Sequence, residues 1–431
     1  MRGLFYFCAM LSTYQQALDY LYATVPDFQR IGAAAYKADL HNTIALLEVV
    51  GNPEKKFKSI HIAGTNGKGS CSHMLASILQ EAGYKTGLYT SPHLKEFTER
   101  IKINGQEIEQ QFVVDFVNRL EPAIERIKPS FFEITVAMAF EYFVLQEVDI
   151  AVIEVGLGGR LDSTNVINPL ISLITNISFD HKDILGDTLE KIAIEKAGII
   201  KEGVPVVISE MQTETYKVFI GKARQCKSKI IFADKSLSAK IDDDLLTIKG
   251  SELFQVTEFP LRGIYQEKNV PGVLKVIELL PFVINRNVII AGLKNVIKNT
   301  GLKGRWQKIG ESPLTICDTG HNEAGISEIL KQISKEKFDK LFVVMGVVKD
   351  KDISGVLKQL PPDATYFFCE AKIPRAMGAA DLAKHAAQYN LIGEVVPDVN
   401  DAIAAARKIA TVNDFVFVGG STFVVAEIEG L

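Results

Sequence analysis

A glycine-rich loop, GTNGKGS at residues 64–70, narrows the possible folds of this chain more than any other segment. The strand-like run KSIHIA precedes it, and SCSHMLASILQEAG, which has helical spacing, follows it and ends near Gly83. A glycine loop between a strand and a helix is typical of phosphate binding. The spacing differs from the usual G-x-x-x-x-G-K-[ST], because Gly69 follows Lys68 and the hydroxyl of Ser70 comes one position late.

The chemistry of this loop suits a nucleotide phosphate. Backbone N–H groups and the positive end of the helix dipole attract an anion, and Lys68 adds a full charge near the β- and γ-phosphates. The alternative is a tight turn in which the glycines only relieve steric crowding. Three glycines, a lysine and a serine directly after a strand favour phosphate binding.

Most of the chain alternates apolar strand-like runs with helical runs. The runs TGLYT, DIAVIEV and LISLIT are strand-like, whereas FFEITVAMAFEYFVLQ and TLEKIAIEKAG have helical spacing. This alternation predicts an α/β fold with a largely parallel sheet. Short β-rich pieces at 236–260 predict an antiparallel segment, and helices are expected near 266–280 and 287–298.

The segment NTGLKGRW, residues 299–306, is typical of a linker. Beyond it the alternation restarts with LTICDTG, KLFVVMGVV and DFVFVGGS, which predicts a second α/β unit. The chain has 431 residues, too many for one ordinary core, so more than one domain is expected.

The composition indicates a globular protein that does not bind nucleic acid. Apolar residues make up 47% and charged residues 23% of the chain. The 48 Lys and Arg residues do not outnumber the 52 Asp and Glu residues, so no excess of cations is available for a phosphate backbone. No run approaches the ~20 apolar residues of a membrane span. The five cysteines are scattered, which is typical of a reduced cytoplasmic protein without disulfides or a zinc site.

The N-terminal run MRGLFYFCAM has three interpretations. One Arg and a short apolar stretch resemble a signal peptide, but no A-x-A-like cleavage site follows, and STYQQALDYLYATV continues as an amphipathic helix. Otherwise the run is a packed tail, or it precedes a native start at Met10. Because the signal-peptide features are weak, we predict a cytoplasmic location.

Polar side chains at strand ends are candidates for a Mg²⁺ site. Glu154 ends the apolar run AVIEV, at the edge where an open parallel sheet binds ligands, and we favour a metal role over simple capping of an N–H. Asp180 and His181 follow the next strand, and local sequence leaves His181 open between a metal ligand and a structural loop residue. Ser91 and His93, in TSPH, are by themselves typical of a Ser-Pro turn.

The second unit carries polar residues after its own strands. Asp318, in DTGHN, could accept from a ribose hydroxyl, and His321 and Asn322 could bind a carboxylate or phosphate. The alternative for DTGHN is a helix N-cap. Arg305 is either a solvated linker charge or a hinge arginine that reaches a phosphate when domains close. The GGS at 419–421 is otherwise a bare turn.

Together these motifs resemble one family. The resemblance is to folylpolyglutamate synthase and dihydrofolate synthase, the folate branch of the Mur ligase superfamily. The motifs that occur in the order seen in that family are GTNGKGS, TSPHL, FFEITVAMAF, IEVGLGGRLDSTN, DHKDILG, IAIEKAGIIK, GIYQEKN, GRW and DTGHN. The match runs from about residue 12 to the C-terminus. It implies a P-loop ATPase-like domain at 1–298 that binds ATP and folate, and a smaller Rossmann-like glutamate-ligase domain at 299–431.

The resemblance also implies an ATP-dependent amide ligase. The substrate carboxylate attacks the γ-phosphate to give an acyl phosphate and ADP, and the amine of L-glutamate then attacks the acyl carbon. The implied substrates are ATP, L-glutamate and a folate, dihydropteroate or both, with Mg²⁺ at two sites, and a monomer is implied. Lys196, in EKAG, matches a lysine that the family carbamylates to an anionic metal ligand, and its alternative is a helix salt bridge.

Residue by residue, the resemblance implies the following roles. The ATP contacts are Thr65, Asn66, Gly67, Lys68, Gly69, Ser70, Gln266, Asn269, Arg305 and Asp318. The metal ligands are Ser91, Glu154, His181 and carbamylated Lys196. The pterin contacts are Gln29, Arg30, Ile31, Phe131, Phe132 and Glu133, and the glutamate contacts are His321 and Ser421. The catalytic residues are Lys68, Lys196 and His321.

The chain departs from the family pattern at two places, and two other functions are weighed. The family's D-x-A-H-N-P is D-T-G-H-N-E here, so Glu323 replaces a helix-starting proline, and GGSTFVVAE is less aromatic than usual. A cell-wall Mur ligase acting on a UDP-muramyl substrate is disfavoured, because helix and P-loop come directly at the start of the chain. A non-enzymatic P-loop switch would need neither DTGHN nor Arg305.

Overall fold

The computed structural model describes residues 10–26, 32, 39–349 and 353–431. Three of the predicted pterin contacts, Gln29, Arg30 and Ile31, lie outside the described residues. Within the described ranges, no helix is both long enough and apolar enough to cross a membrane.

The first α/β unit is built on an eight-stranded sheet. Its strands are Ser59–Ala63 (β1), Thr86–Tyr89 (β2), Ile101–Ile103 (β3), Gln106–Glu107 (β4), Ile150–Glu154 (β5), Ile171–Ile174 (β6), Val206–Ile208 (β7) and Ile230–Phe232 (β8). The spatial order is β4-β3-β2-β5-β1-β6-β7-β8, and all neighbours from β2 to β8 pair in parallel. The hairpin of β3 and β4 continues the sheet antiparallel at the β2 edge.

Helices cover both faces of this sheet. They are Tyr14–Thr24 (α1), His41–Val49 (α2), Lys68–Glu81 (α3), Gln110–Ile127 (α4), Phe131–Leu145 (α5), Lys182–Leu185 (α6), Leu189–Ala197 (α7), Tyr216–Gln225 (α8), Gln266–Leu279 (α9), Arg286–Lys294 (α10) and Val296–Thr300 (α11). Short 3₁₀ helices lie at Pro53–Lys55, Phe97–Arg100, Ser163–Val166 and Ala233–Lys235.

Strand β5 shows why the central strands are apolar throughout. Ala151 and Ile153 pack into a core with α1, α2, α4 and α5, whereas Ile150 and Val152 pack into a second core with α3 and α9 to α11. Successive side chains of a strand point to opposite faces, so a strand covered on both sides is buried at every position. The strand ends are then the places where polar groups reach the surface of the sheet.

A small antiparallel sheet interrupts the α/β order, as predicted for 236–260. It consists of Ser238–Asp242 (β9), Leu245–Lys249 (β10) and Leu253–Val256 (β11), with β10 in the centre. Leu246, Ile248 and Val256 pack it against the core that contains α9. This sheet therefore supports helix α9 behind the glycine loop.

The second α/β unit contains a six-stranded sheet. Its strands are Gln307–Glu311 (β12), Leu314–Cys317 (β13), Leu341–Met345 (β14), Thr365–Phe368 (β15), Gly393–Val395 (β16) and Phe415–Gly419 (β17), in the order β12-β13-β17-β14-β15-β16. Its helices are Glu323–Ile333 (α12), Ser354–Leu357 (α13), Ala379–Ala387 (α14), Val399–Ile409 (α15) and Thr422–Glu427 (α16). Only β12 runs antiparallel to its neighbour in the described part of this sheet.

Candidate active site

The glycine loop has the shape of an anion-binding turn. Gly67 precedes helix α3 with a left-handed φ of 86°, and Gly64 has a φ of 147°. A Cβ atom on Gly67 would lie 2.2 Å from Oδ1 of Asn269, and one on Gly64 would lie 1.8 Å from Oγ1 of Thr175. Both positions therefore require glycine for conformation and for space. The loop delivers its backbone N–H groups to the N-terminus of α3, where a phosphate is favoured.

The side chains of the loop are held by neighbouring elements. Lys68 Nζ donates to the carbonyl oxygens of Gly64 and Thr65, each at 3.2 Å. Thr65 Oγ1 donates to the carbonyl oxygen of Ser178 at 3.1 Å. Ser70 Oγ accepts from Gln266 Nε2 at 3.0 Å. The ammonium of Lys68 is thus kept over the loop and Ser70 is tied to helix α9.

Glu154 and Ser91 form a polar pair beside this loop. Glu154 is 5% exposed at the end of β5, and it accepts the backbone N–H of Ser91 at 3.3 Å. Burial raises the pKa of Glu154 to about 7, although the positive charges of Lys68 and Arg305 act in the opposite direction. The hydroxyl oxygen of Ser91 is buried and has no hydrogen-bond partner among the residues that the structure describes. A buried carboxylate and an unused hydroxyl next to a phosphate loop are suitable oxygen ligands for Mg²⁺.

The same region offers few further metal ligands. Among the described residues, no three His, Cys, Asp or Glu side chains cluster closely enough to hold a metal ion on their own. Mg²⁺ usually keeps several waters and takes oxygens from substrate phosphates, so one carboxylate and one hydroxyl fit it. His181 is the N-cap of the short helix α6 and has a left-handed φ of 49°, and its Nε2 lies 3.8 Å from Oδ1 of Asp180.

Lys196 is a buried amine behind the glycine loop. Its side chain is 4% exposed, and Nζ donates to the carbonyl oxygen of Gly64 at 2.9 Å. Burial, and next the charge of Lys68, lower the pKa of Lys196 to about 7, although Asp180 and Asp162 act in the opposite direction. A lysine in this state is a nucleophile near neutral pH rather than a fixed ammonium.

Arg305 comes from the predicted linker and reaches the glycine loop. A Cβ atom on Gly69 would lie 3.4 Å from Arg305 Nη2 and 3.8 Å from both carboxylate oxygens of Glu154. Arg305 Nη1 donates to Thr319 Oγ1 and to the carbonyl oxygen of Gly304 at 3.1 Å. The guanidinium is therefore anchored in the second unit while its other end lies over the first turn of α3.

Asp318 follows β13 and is 3% exposed. It accepts from the hydroxyl of Tyr265 at 2.5 Å and from the backbone N–H groups of Trp306 at 2.7 Å and Gly320 at 2.8 Å. Burial raises the pKa of this carboxyl, while the Tyr265 hydrogen bond and Arg305 oppose the shift. Because Tyr265 precedes α9, this hydrogen bond joins the two α/β units.

The DTGHN segment also meets the first unit directly. Asn322 Nδ2 donates to Asp180 Oδ2 at 3.1 Å, and His321 Nε2 lies 3.3 Å from the same oxygen. Asn322 is the N-cap of α12, and its Oδ1 accepts the N–H of Gly325 at 2.9 Å. Helix α12 therefore begins at Glu323 without the family's proline, because Asn322 supplies the cap.

Most of the predicted site residues line one cleft, which has a volume of about 330 Å³. It is lined by twelve of them, namely Thr65, Asn66, Gly67, Lys68, Gly69, Ser70, Ser91, Glu154, Asn269, Arg305, Asp318 and His321. The lining does not include Gln266, His181, Lys196, Phe131, Phe132, Glu133 or Ser421. Residues from both α/β units line this cleft, so a ligand bound in it would contact both units.

The predicted pterin contacts that the structure describes lie beside the cleft rather than on its wall. Phe131 stacks on Tyr22 with ring centroids 5.0 Å apart, and the Arg100 guanidinium lies 5.3 Å from the Phe131 centroid. Glu133 accepts the N–H of Ser130 in a capping box at the start of α5. Phe132 packs near Tyr89, with ring centroids 6.2 Å apart.

Two predicted residues outside the cleft wall have clear structural partners. Ser421 is the N-cap of α16, where its Oγ accepts the N–H of Phe423 at 3.2 Å. Gln266 is fully buried and bridges Ser70 to Asn269, whose Nδ2 donates to Gln266 Oε1 at 2.8 Å. The predicted glutamate role of Ser421 and the predicted ATP role of Gln266 stay predictions.

Sequence reasoning left out two residues that shape the cleft. Tyr265 lies in the quoted GIYQEKN motif, but its bond to Asp318 depends on a partner 53 positions away. Lys268 lies 3.3 Å from both Glu210 and Glu328, which belong to different units. In the sequence, the many polar residues around Gln266 indicate that this segment is unusual, but they do not identify the partners of Tyr265 and Lys268.

Comparison with protein-family models identifies the class of enzyme to which this chain belongs. Residues 62–276 match the family model of the Mur ligase middle domain, and residues 304–422 match that of the Mur ligase glutamate ligase domain. The chain is therefore a Mur-type ATP-dependent ligase, and the cleft lies between the two matched segments. This confirms the predicted enzyme class and α/β fold.

Individual relatives then give the family. A dihydrofolate synthase/folylpolyglutamate synthase of Bacillus subtilis is 33% identical over 97% of this chain and 99% of that protein. A solved structure of Escherichia coli FolC in complex with DHPP and ADP has a TM-score of 0.85, with 28% identity and 97% of each chain covered. A bifunctional folylpolyglutamate synthase/dihydrofolate synthase with Mn, AMPPNP and L-glutamate bound has a TM-score of 0.83, with 29% identity and 97% of each chain covered. The chain belongs to the dihydrofolate synthase/folylpolyglutamate synthase family, as predicted.

Proposed function

We propose that this chain joins L-glutamate to a folate, to dihydropteroate or to both, with ATP as the energy source. The observation that carries the proposal is the convergence of Lys68, Glu154 and Ser91 with Arg305 of the second unit at the N-terminus of α3. Such an arrangement neutralises a transferring phosphoryl group and leaves space for a second anionic substrate. The names of the relatives support the choice of folate substrates and glutamate.

The proposed reaction has two steps. A carboxylate oxygen of the folate or dihydropteroate attacks the γ-phosphorus of ATP, the bond to the bridging oxygen breaks, and ADP leaves. The amine nitrogen of L-glutamate then attacks the acyl carbon, the amine loses a proton, and inorganic phosphate leaves as the amide forms. Lys68 and Arg305 place positive charge where the phosphoryl group passes, because both side chains already lie at the loop. His321, which faces the cleft, is proposed to act in catalysis and to contact L-glutamate.

We propose that Mg²⁺ is held by Ser91, Glu154 and His181, and that a carbamylated Lys196 is a ligand of a second Mg²⁺. The unused hydroxyl of Ser91 and the buried carboxylate of Glu154 support the first site. The lowered pKa of Lys196 supports its modification, because only the neutral amine attacks carbon dioxide. When bound, the metal neutralises phosphate charge and orients the nucleotide.

We further propose a division of labour between residues 1–298 and 299–431. The first segment supplies the P-loop contacts, Gln266 and Asn269 for ATP, together with the pterin contacts Gln29, Arg30, Ile31, Phe131, Phe132 and Glu133. The second segment supplies Asp318 for the ribose, and His321 and Ser421 for L-glutamate. This division is supported by the lining of the cleft, to which the first segment contributes Asn269 and the second contributes Asp318 and His321.

The experiment that tests the function is a substrate panel. Dihydropteroate, tetrahydrofolate and a UDP-muramyl peptide are each incubated with ATP, Mg²⁺ and L-glutamate, and ADP and the amide product are measured. We expect product from at least one of the two pterin substrates and none from the muramyl peptide. ADP release that does not depend on L-glutamate or on a pterin substrate would instead indicate a nucleotide switch.

A matched pair of lysine variants tests the site. Lys68→Ala is expected to abolish ADP formation, because the loop loses the charge nearest to the phosphates. Lys384→Ala removes an exposed lysine that pairs with Asp381 at 3.2 Å on α14, and it is expected to leave turnover unchanged. Full turnover in Lys68→Ala would refute the assignment of the ATP loop.

A further inference from the structure

The side chain of Asn66 forms a reciprocal amide pair with Asn322. Asn66 Nδ2 donates to Asn322 Oδ1 at 3.1 Å, and Asn322 Nδ2 donates to Asn66 Oδ1 at 3.0 Å. Asn66 lies inside the glycine loop, two positions before Lys68, whereas Asn322 is the N-cap of helix α12 in the second unit. The pair therefore links the phosphate loop to the other half of the cleft.

Asn322 uses its whole hydrogen-bonding capacity in this position. Its Oδ1 accepts from Gly325 N and from Asn66 Nδ2, and its Nδ2 donates to Asn66 Oδ1 and to Asp180 Oδ2. An amide group has two acceptor sites and two donor hydrogens, so all four are engaged. Serine can cap a helix but cannot span these contacts, and aspartate lacks both donors. Asn322 is also only 6% exposed, so water cannot easily replace the lost partners.

The backbone and the side chain of Asn66 are held by different elements. The backbone of Asn66 is fixed from the end of β6, because Thr175 Oγ1 and Asn176 Nδ2 donate to its carbonyl oxygen at 2.6 and 3.0 Å. Within the described ranges, the side chain of Asn66 forms hydrogen bonds only with Ser178 Oγ, at 3.3 Å, and with Asn322. The position of the second unit therefore affects the orientation of one side chain in the glycine loop.

We propose that Asn322 is a positioning residue that holds the side chain of Asn66, within the nucleotide loop, in its binding orientation only while the second unit is docked. Asp180 is its second anchor, because the carboxylate takes the remaining donor of Asn322 and also faces His321. The inference rests on the proposed function. Asn322 would then provide a physical link between nucleotide affinity and the unit that carries the proposed glutamate contacts.

A double-mutant cycle on nucleotide binding tests this proposal. The dissociation constant of AMPPNP with Mn²⁺ is measured by calorimetry, without L-glutamate, for the full chain and for Asn66→Ala, Asn322→Ser and the double variant. Serine keeps the helix cap while removing the bonds to Asn66 and Asp180. Each single variant is expected to bind about tenfold more weakly, which is about 1.4 kcal/mol and in the range of two partly replaced hydrogen bonds. The double variant is expected to be no weaker than about tenfold, because both changes remove the same link.

The other outcomes overturn the proposal. A hundredfold loss in the double variant shows that the two residues act independently, and unchanged affinity in Asn322→Ser shows that the pair does not set the loop. Asp398→Ala, which removes the cap of α15, is the fold control and is expected to bind AMPPNP normally. A wild-type chain that binds AMPPNP but makes no glutamate adduct defeats the proposed function alone, since the cycle needs no turnover.

Discussion

Carbamylation of Lys196 is the prediction on which the proposed second metal site depends. Carbon dioxide reacts with a neutral amine, whose nitrogen attacks the carbon and then loses a proton to leave a carbamate anion. An ordinary lysine with a pKa of 10.5 is about 0.3% neutral at pH 8. A lysine whose pKa is lowered to about 7 is about 90% neutral at the same pH. Lys196 should therefore present the reactive form about 300 times more often than an exposed lysine.

The structural cause of this shift is itself testable. Burial lowers the pKa of Lys196 most, and the charge of Lys68 lowers it further. Replacing Lys68 by methionine removes that charge, so the pKa of Lys196 should rise and the carbamate should form only at higher pH. The Nζ of Lys196 keeps its acceptor in this variant, because it donates to the backbone oxygen of Gly64.

The assay is carbon NMR of the protein in ¹³C-labelled bicarbonate between pH 6 and 9. A carbamate resonance with a midpoint near pH 7 is expected in the wild type, and it should be absent in Lys196→Met. That variant also serves as the control for carbamate on the α-amino group, whose ordinary pKa is about 8. A wild-type spectrum identical to that of Lys196→Met at every pH would refute the reasoning. A midpoint unmoved by Lys68→Met would refute the assigned role of the Lys68 charge.

Two further predictions concern buried titratable groups. Burial raises the pKa of Glu154 to about 7, so the metal-free protein loses stability as pH rises above the ordinary value of 4.5. Glu154→Gln should therefore stabilise the protein at pH 8 by up to about 3 kcal/mol in urea unfolding, and it should raise the Mg²⁺ concentration needed for half-maximal activity at least tenfold. A destabilised variant with unchanged Mg²⁺ dependence would contradict this. The pKa of His61 is lowered to about 3 by burial, so the unfolded chain takes up the proton first and stability falls as pH drops below 6.5, by about 2 kcal/mol at pH 5. His61→Gln should remove that part of the slope, and equal slopes in both proteins would exclude it.

Local sequence patterns were sufficient to predict the glycine loop and the elements on either side of it. The loop, the strand before it and the helix after it were all expected, and the helix begins at Lys68, two residues before the predicted run. Strand β5 ends at Glu154, as the apolar run AVIEV indicated. These features are set by residues that are close in sequence, such as a buried strand covered on both faces.

Some elements were not predicted. The helix Gln110–Ile127 was missed although its apolar residues recur at helical spacing, whereas the hairpin of β3 and β4 and the edge strand Gln307–Glu311 have weak local signals. The edge strand has the polar sequence QKIGE and forms because β13 offers it a partner, while the short hairpin completes the sheet beside β2. Strand formation at an edge depends on the neighbouring strand more than on intrinsic propensity.

The amino-acid sequence by itself determined the α/β class, the phosphate loop and the motifs that place the chain in its family, because each is written in a short run of residues. Only the tertiary structure decided that Ser91 is left with an unused hydroxyl, that Arg305 reaches Gly69, and that Asn322 pairs with Asn66. The physical reason is that burial, hydrogen-bond satisfaction and pKa depend on groups that are distant in the chain and near in space.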